Sequence, residues 1–449
     1  MEVEIISREF IKPTSPTPPA MKTYEVSLLD RVIHPIYVPV ILFYPTDQST
    51  GHAVSERARL LKESLSETLT RFYPLAGKII DNLSIDCNDE GVDYLEARVH
   101  CHLADCLNQP NLEYLLKFLP HEASWTEASA GDHVAMVQVN SFACGGIAIG
   151  VLVNHIIVDG TALSVFLKGW TSTCRKGCET VCPNFDAPSI FKLNKAAFPT
   201  DTILAILVKS FQVIKRTTRR VVFDASAIAS LKAKASSSSV PNPTRVEVVT
   251  AFLWKCISAA FQAKSGIKRP TLITHTVNLR SRSIPPFKES SMGNIVWSAG
   301  ALCESEEAAL PYRVSKIREA ITKINADLVK NLQGDEGFPM LCELLKTLGG
   351  VLPSTESFQE MEYICFTGWC NFGMYDLDFG WGKPLWASSA ASSSNHSEQR
   401  SFSNKVLLMN TRSVGGVEAW VFLTEEDMAL FVQDKELLAF ASLDPSPLS

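Results

Sequence analysis

The chain has 449 residues, of which 46% are hydrophobic and 20% are charged, and its formal net charge is −6. The length allows two or three domains with sizeable cores, and the composition is ordinary for a globular protein. The excess of acidic residues argues against nucleic acid or an anionic membrane surface as the main partner.

The first part of the chain alternates between strand and helix patterns. Prolines within residues 8–22 predict an extended segment. The apolar run at 38–44 predicts a strand, and leucines at helical spacing predict an amphipathic helix over 55–72. Two alternating stretches at 83–87 and 92–96, separated by turn-forming residues, predict a β-hairpin.

A histidine follows the most apolar part of this half. Residues 134–140 and 147–153 are strand-like runs joined by a glycine-containing turn, and apolar residues recur at helical spacing beyond Gly160. His155 therefore lies where a buried strand ends and a helix begins. Neutral imidazole accepts a proton near neutral pH, so His155 is a candidate general base, although an isolated histidine beside an apolar run is more often structural.

Twelve cysteines are scattered along the chain. The N-terminus is acidic where a signal peptide is basic, and no run of about eighteen apolar residues suits a membrane crossing. We therefore expect a cytoplasmic protein with reduced thiols and no membrane partner. Cys174, Cys178 and Cys182 are spaced by four, but zinc sites usually add a second, distant pair, so no metal site is predicted.

Residues 175–215 lose this regularity and read as a long crossover, after which the second half resumes the alternation. The elements predicted there are helices over 225–235, 246–260 and 312–332, strands over 221–223 and 272–279, a hairpin over 406–409 and 417–421, and an exposed serine-rich loop over 388–403.

A second distinctive stretch is the loop Asp378-Phe379-Gly380-Trp381-Gly382. Two glycines among aromatic residues predict a sharply bent, well-packed loop. The loop lacks the Lys-Ser/Thr ending and the spacing of a phosphate-binding loop, which argues against nucleotide hydrolysis. No Gly-x-Ser-x-Gly elbow of a serine hydrolase is present either.

Taken together, His155-x-x-x-Asp159-Gly160 and the 378–382 loop resemble the two signatures of the BAHD family of plant acyl-CoA-dependent acyltransferases. The resemblance covers essentially the whole chain, because 73–77, 277–280 and Gly293-Asn294 also match in order. Segments 371–377 and 411–413 are similar to the branch that contains vinorine synthase and other alkaloid acetyltransferases.

The resemblance implies an α/β fold of two chloramphenicol-acetyltransferase-like domains, each of mixed sheet and helices. We expect an N-terminal domain over 1–185 with the HxxxDG motif, a crossover over 186–215 and a C-terminal domain over 216–449 with the DFGWG motif. A channel between the domains would admit acyl-CoA, expected to be acetyl-CoA, at one mouth and an alkaloid or terpenoid alcohol at the other. A monomer is the family expectation.

The resemblance also assigns the chemistry. His155 takes the proton of the substrate hydroxyl as its oxygen attacks the thioester, without an acyl-enzyme. The indole N–H of Trp369 and the hydroxyl of Thr367 are the expected donors to the tetrahedral oxyanion. Gly368 lies between them, where relatives usually have serine.

Three further residues complete the predicted site by resemblance. Asp159 is expected to turn away from the histidine and pair with Arg280, so it shapes the loop. Asp378 is also expected to be architectural, with an indirect effect on activity. Thr244 is the candidate contact for the CoA phosphates.

Three other readings stay open on the sequence. The first is a non-catalytic ligand-binding member of the same fold, and the second is a transferase with a larger donor such as benzoyl-, hydroxycinnamoyl- or malonyl-CoA. The third is a carrier-protein-dependent condensation domain, which shares the fold. Those domains favour a paired histidine where this chain has Asn154, and they occur within much larger chains.

Overall fold

The computed structural model describes residues 1–46, 53–120, 127–177, 181–194, 211–212, 216–304, 309–346, 361–389, 401–402 and 404–448. Its strands, in chain order, are β1 Val3–Ile11, β2 Thr23–Glu25, β3 Tyr37–Tyr44, β4 Lys78–Asp81, β5 Ser84–Asp86, β6 Val92–Val99, β7 Ala135–Phe142, β8 Ile147–Asn154, β9 Phe211–Gln212, β10 Arg216–Phe223, β11 Thr271–Asn278, β12 Val296–Cys303, β13 Glu362–Gly368, β14 Trp386–Ser388, β15 Ser401–Phe402, β16 Lys405–Asn410, β17 Val417–Thr424 and β18 Ser442–Leu443.

The α-helices are α1 Leu28–Arg31, α2 Val54–Arg71, α3 Leu103–Asn108, α4 Leu112–Leu115, α5 Gly160–Cys174, α6 Ala187–Ile190, α7 Ala225–Ala235, α8 Arg245–Ser265, α9 Leu310–Lys323, α10 Ala326–Asn331, α11 Gly337–Lys346, α12 Glu425–Phe431 and α13 Lys435–Phe440. Most of the predicted elements are confirmed within a few residues of their bounds. The reason is that each has the apolar period of its element: α2 buries Leu61, Leu65 and Leu69 on one face, for example.

Two mixed sheets organise the protein. The first has the strand order β1-β6-β7-β8-β3-β14, and the second has the order β12-β11-β13-β16-β17-β10-β18. The pairs β6–β7, β11–β13 and β13–β16 are parallel, and the remaining pairs in these sheets are antiparallel. Helices cover both sheets and produce one hydrophobic core around each. The predicted α/β class with mixed sheets is therefore confirmed.

The predicted hairpin over 83–87 and 92–96 is wrong. β5 pairs with β2 and β4 in a separate three-stranded sheet, whereas β6 lies between β1 and β7 in the first large sheet. The turn between β5 and β6 is bound by an earlier segment of the chain. The Asp89 carboxylate accepts hydrogen bonds from the backbone N–H and the hydroxyl of Thr17 and from the ammonium of Lys22. These contacts direct the chain from one sheet into the other.

The helix predicted over 312–332 is two helices, because Asn325 interrupts it. The Asn325 side chain accepts a hydrogen bond from the backbone N–H of Leu328 at 3.0 Å and begins α10 as its N-cap. Val314, Ile317 and Ile324 are buried as the pattern predicted.

The apolar prediction over 246–260 corresponds to α8, and Thr244 caps it with Glu247 in a capping box. By length and composition α8 is long and apolar enough to cross a membrane, but 72% of its apolar window is buried inside the protein. A core helix of a globular domain is buried in the same way and passes the same test of length and composition. The helix α8 is therefore only weak evidence for a membrane span.

A strand from the second half completes the first sheet. β14 pairs with β3, with Trp386 opposite Phe43, and the 378–382 loop immediately precedes it. The hydroxyl of Tyr44 donates to the carbonyl of Leu377 at 2.9 Å, which secures the same crossing. The domain bounds of 1–185 and 216–449 stay predictions, and most of the 186–215 crossover and of the 388–403 loop lies outside the described residues.

Candidate active site

A cavity of about 710 Å³ lies between the parts of the chain that carry the two sheets. It is lined by residues from both cores, including His155 at the end of β8 and Thr367 near the end of β13. A volume of this size is typical of pockets that enclose a drug-sized ligand. His155 therefore lies in a cavity between the two halves of the chain, as predicted.

One ring nitrogen of His155 is committed to Asn294. The distance from His155 Nδ1 to Asn294 Oδ1 is 2.8 Å. Asn294 Nδ2 donates to the carbonyl of His155 at 2.7 Å, so the amide oxygen is the group that faces the ring. Nδ1 therefore carries the hydrogen, and the lone pair of His155 is on Nε2, the nitrogen left for a substrate in the cavity.

Asp30 fixes the orientation of this amide. Its Oδ1 accepts from the backbone N–H of Asn294 at 2.7 Å and from Asn294 Nδ2 at 2.8 Å. Its Oδ2 accepts from the backbone N–H and the hydroxyl of Ser27 at 2.8 and 2.6 Å. With both Nδ2 hydrogens directed to oxygen acceptors, the amide of Asn294 has one favourable orientation, and that orientation sets the tautomer of His155.

Burial lowers the pKa of His155 from its ordinary value of 6.5, against the opposing effects of the Asp159 charge and of the Asn294 hydrogen bond. The ring is therefore neutral at physiological pH. A neutral imidazole with a defined tautomer and a free lone pair is the form that a general base requires.

Asp159 is paired with Arg280 and not with the histidine. Both side chains are buried, and Arg280 donates to the two carboxylate oxygens at 2.7 and 3.1 Å. The same carboxylate caps α5 through the N–H of Ala162 and accepts from the N–H of Ile295. Asp159 thus joins the His155 loop to the segment that carries Asn294, as the resemblance led us to expect.

The two predicted oxyanion donors lie together at the end of β13. Thr367 and Trp369 both line the cavity, and the backbone N–H of Trp369 donates to the carbonyl of Leu408 at 2.7 Å. In the part of the chain that the structure describes, neither the indole N–H of Trp369 nor the hydroxyl of Thr367 has a hydrogen-bond partner. Both groups therefore remain available to a bound substrate.

Close packing explains why the first motif ends in a glycine, Gly160. A Cβ atom at Gly160 would lie 2.2 Å from the ring of Phe372, which follows the Trp369 loop. The hydroxyl of Ser164, one turn along α5, donates to the carbonyl of Phe372 at 2.7 Å. Only glycine permits this close approach, which holds the Trp369 loop against the first turn of α5.

Asp378 organises its own loop and is not among the residues that line the cavity. Its Oδ1 accepts from the backbone N–H of Gly380 at 2.7 Å and of Gly382 at 3.0 Å. Phe379 is buried between Tyr44 and Trp170, with ring centroids 5.7 and 5.0 Å away. The geometry therefore supports the architectural role predicted for Asp378.

Thr244 lies at the rim of the cavity and is exposed. Its hydroxyl accepts from the N–H of Glu247 at 3.2 Å and caps α8, so the positive end of this helix is directed towards the same rim. No group of three or more His, Cys, Asp or Glu side chains in the described residues is placed to hold a metal ion. Cys174 ends α5, Cys182 is exposed, and Cys178 lies outside the described residues.

Three residues of the site had no predicted role: Asp30, Asn294 and Lys405, which lines the cavity from β16. In the sequence, Asn294 stands out only as part of the Gly293-Asn294 dipeptide that matches the family. Lys405 carried a signal that could have revealed it, because it is a lone charge at the start of an apolar strand. Asp30 carried none, since its partner is 264 residues away.

Comparison with known proteins gives a consistent result. A model of the Transferase family matches residues 1–438. The chain is 49% identical over 460 residues to epi-neemfruitin B 7-O-acetyltransferase of Melia azedarach and 48% identical over 466 residues to limonoid 7-O-acetyltransferase of Citrus sinensis, with 100% of each chain covered. The structure is also similar to the crystal structure of vinorine synthase, with a TM-score of 0.80 and 35% sequence identity, and the match covers 100% of both chains.

Proposed function

The chain belongs to the Transferase family, that is, to the BAHD acyltransferases, and we propose that it transfers the acetyl group of acetyl-CoA to a hydroxyl of a polycyclic terpenoid alcohol of the limonoid type. The choice of acetyl is supported by relatives that are named acetyltransferases. The choice of a limonoid-like acceptor is supported by the two relatives at 49% and 48% identity, whereas the alkaloid enzyme vinorine synthase is 38% identical.

In this proposal His155 acts as the general base. Nε2 accepts the proton of the acceptor hydroxyl while its oxygen bonds to the thioester carbonyl carbon. The tetrahedral intermediate then collapses, the carbon–sulfur bond breaks, and the imidazolium returns the proton to the departing CoA thiolate. Because the acyl group passes directly between the two substrates, no acyl-enzyme forms.

The negative charge of the intermediate falls on the former carbonyl oxygen. Trp369 and Thr367 are the proposed donors, since both line the cavity with His155 and neither donor group is engaged elsewhere in the described chain. For the CoA phosphates we propose Thr244 and the N-terminal turn of α8, where backbone N–H groups and the helix dipole favour an anion.

The observation that carries the proposal is the tautomer of His155. Asn294 donates two hydrogen bonds to Asp30 and one to the His155 carbonyl, and the His155 ring donates one to Asn294. These four hydrogen bonds leave an unprotonated Nε2 in the cavity. A ligand-binding protein has no need to fix an imidazole in its basic form. This feature favours the enzyme over the non-catalytic reading.

A transferase with a larger acyl donor is the second candidate, because the relatives include an N-malonyltransferase of Strychnos nux-vomica at 35% identity. We also propose that the enzyme is a cytoplasmic protein and, as is expected for the family, a monomer. These points are separate from the chemistry and are tested by fractionation and by light scattering of the purified protein.

The decisive experiment is a screen of acetyl-, malonyl-, benzoyl- and hydroxycinnamoyl-CoA against limonoid, other terpenoid and alkaloid alcohols, read by mass spectrometry. We expect acetyl esters of limonoid-type alcohols with the wild-type enzyme and none with His155→Ala, which should remain folded. An acyl-enzyme in the intact mass, or full turnover by the His155 variant, would overturn the mechanism. Transfer of another acyl group only would overturn the choice of donor.

A further inference from the structure

A second histidine lines the cavity, on strand β11 of the second half. His275 has an exposed fraction of 7%, and its Nδ1 is 3.1 Å from the carbonyl oxygen of Thr276. Because a carbonyl oxygen can only accept, Nδ1 carries the ring hydrogen and the lone pair is on Nε2. Nε2 is buried, and in the part of the chain that the structure describes it has no hydrogen-bond partner. The ring therefore contains a buried acceptor that the described protein does not use.

Burial also keeps this acceptor unprotonated. It lowers the pKa of His275 from its ordinary value of 6.5, against the opposing effects of the Thr276 carbonyl and of the Glu247 charge. A neutral imidazole with its hydrogen on Nδ1 accepts one hydrogen bond at Nε2. A buried acceptor without a partner costs free energy, so a donor on a ligand of the cavity would stabilise the complex.

Strand alternation places this ring on the α8 side of the second sheet. Ile273 and Val277, which have the same parity as His275 on β11, are buried in the core of the second half together with the apolar residues of α8. The Glu247 charge acts on His275, so the ring is near the first turn of α8. Glu247 forms the capping box of that turn with Thr244, the proposed contact for the CoA phosphates.

The other neighbour of the ring is the strand that carries the expected oxyanion donors. Gly368 lies between Thr367 and Trp369 and also lines the cavity. Apart from its chain neighbours, a Cβ atom at Gly368 would meet only Cε1 of His275, at 3.8 Å, among the described residues. The extended backbone of β13 does not require glycine, so the missing side chain leaves open space beside Cε1, which is bonded to Nε2. His275 therefore lies between the reaction centre and the proposed phosphate site.

We propose that Nε2 of His275 accepts a hydrogen bond from an amide N–H of the pantetheine arm of acyl-CoA, in the space beside Gly368. This inference rests on the proposed function, because it takes the thioester to lie at Thr367 and Trp369 and the phosphates at Thr244. The arm that joins these two groups in CoA contains two secondary amides. The nearer amide is separated from sulfur by only two methylene groups, so its N–H is the expected donor.

The first test measures the Kd of CoA by calorimetry, which requires no turnover. His275→Leu removes the acceptor, and we expect it to raise the Kd about 3- to 10-fold, as for the loss of one hydrogen bond between neutral groups. His275→Gln places an amide oxygen near the position of Nε2 and should restore the Kd to within about twofold of the wild-type value. His100→Leu, at an exposed histidine outside the cavity, is the matched control and should leave the Kd unchanged.

The second test identifies the donor atom on the ligand. S-acetyl-N-acetylcysteamine carries the nearer amide of the arm, and its ester analogue, S,O-diacetyl-2-mercaptoethanol, has oxygen in place of the N–H. The affinity of each compound is measured by its competition with CoA. We expect the wild-type enzyme to bind the amide about 3- to 10-fold more tightly than the ester, and His275→Leu to bind the two compounds equally.

An unchanged Kd of CoA in a folded His275→Leu enzyme would overturn the proposal. A loss of affinity that His275→Gln does not reduce, or that affects the amide and the ester equally, would make His275 structural and overturn it as well. If His275→Leu does not fold, the wild-type comparison decides, because equal affinities for amide and ester contradict the hydrogen bond. Failure of the wild-type enzyme to transfer acetyl groups, with these binding results as expected, would refute the proposed function and still support the subsite.

Discussion

Asp30→Asn tests whether a buried carboxylate sets the protonation of the catalytic imidazole. The substitution keeps the size of the side chain and replaces one oxygen by an NH₂ group. In the wild-type protein each carboxylate oxygen faces two donors, from Asn294 on one side and from Ser27 on the other. An amide has one accepting end, so in either orientation its NH₂ group faces hydrogen-bond donors.

The Asn294 amide can relieve this conflict by turning round, and the turn changes His155. Oδ1 of Asn294 would then accept from residue 30, and Nδ2 would face Nδ1 of the ring, so the ring hydrogen would have to reside on Nε2. A hydrogen bond to an ionised acceptor is worth about 1.5–3 kcal/mol, and 1.4 kcal/mol corresponds to a factor of about ten. We therefore expect kcat to fall about 10- to 100-fold. Because Asp30 does not line the cavity, the KM for acetyl-CoA should change by less than about threefold.

The assay follows the thiol of released CoA, and ¹⁵N shifts of the His155 ring report the tautomer directly. Ser27→Ala is the matched control, because it removes one hydrogen bond to Asp30 and leaves both contacts with Asn294 in place. It should cost about 1 kcal/mol of stability as a lost helix cap and leave kcat near the wild-type value. A folded Asp30→Asn enzyme with wild-type kcat and an unprotonated Nε2 would refute the reasoning.

Three further predictions concern His155 and the 378–382 loop. Burial lowers the pKa of His155, so kcat/KM for acetyl-CoA, measured at saturating acceptor, should rise with pH through a single deprotonation. The midpoint of this rise should lie below 6.5. A midpoint above 6.5 would contradict the role of His155 as the general base. The His155 ring binds a proton more readily in the unfolded chain than in the folded protein. The stability that neutral His155 contributes is therefore present above pH 6.5 and is lost as pH falls towards the lowered pKa. Urea titrations across this pH range would measure the loss. Asp378→Ala should lower the unfolding free energy by about 1–3 kcal/mol, because two loop N–H groups lose their acceptor. Asp378→Asn retains Oδ1 and should cost less in the same urea melts; equal stability of the alanine variant with near-complete loss of turnover would make Asp378 catalytic.

Local pattern was sufficient for much of the fold. The period of apolar residues placed α2, α7 and α8 and the strands on either side of His155, because each element must bury one face and its side chains recur with the geometry of that element. The two motifs indicated the family, and the matches over residues 1–438 confirm it. The apolar run before His155 and the helical spacing after Gly160 are enough to predict that this histidine follows a buried strand, as it does at the end of β8.

Contacts between distant parts of the chain decided the rest. The failed hairpin shows this for the fold, since Asp89 is bound by Thr17 and Lys22, about seventy residues earlier, and no local pattern records which sheet a strand joins. The site shows it for the chemistry. Asn294 is 139 residues from the histidine whose tautomer it sets, and Asp30 is a further 264 residues from Asn294. A sequence fixes which side chains can donate, accept or ionise, but their partners, and hence their protonation states, exist only once the sheets have paired and the two halves have closed around the cavity.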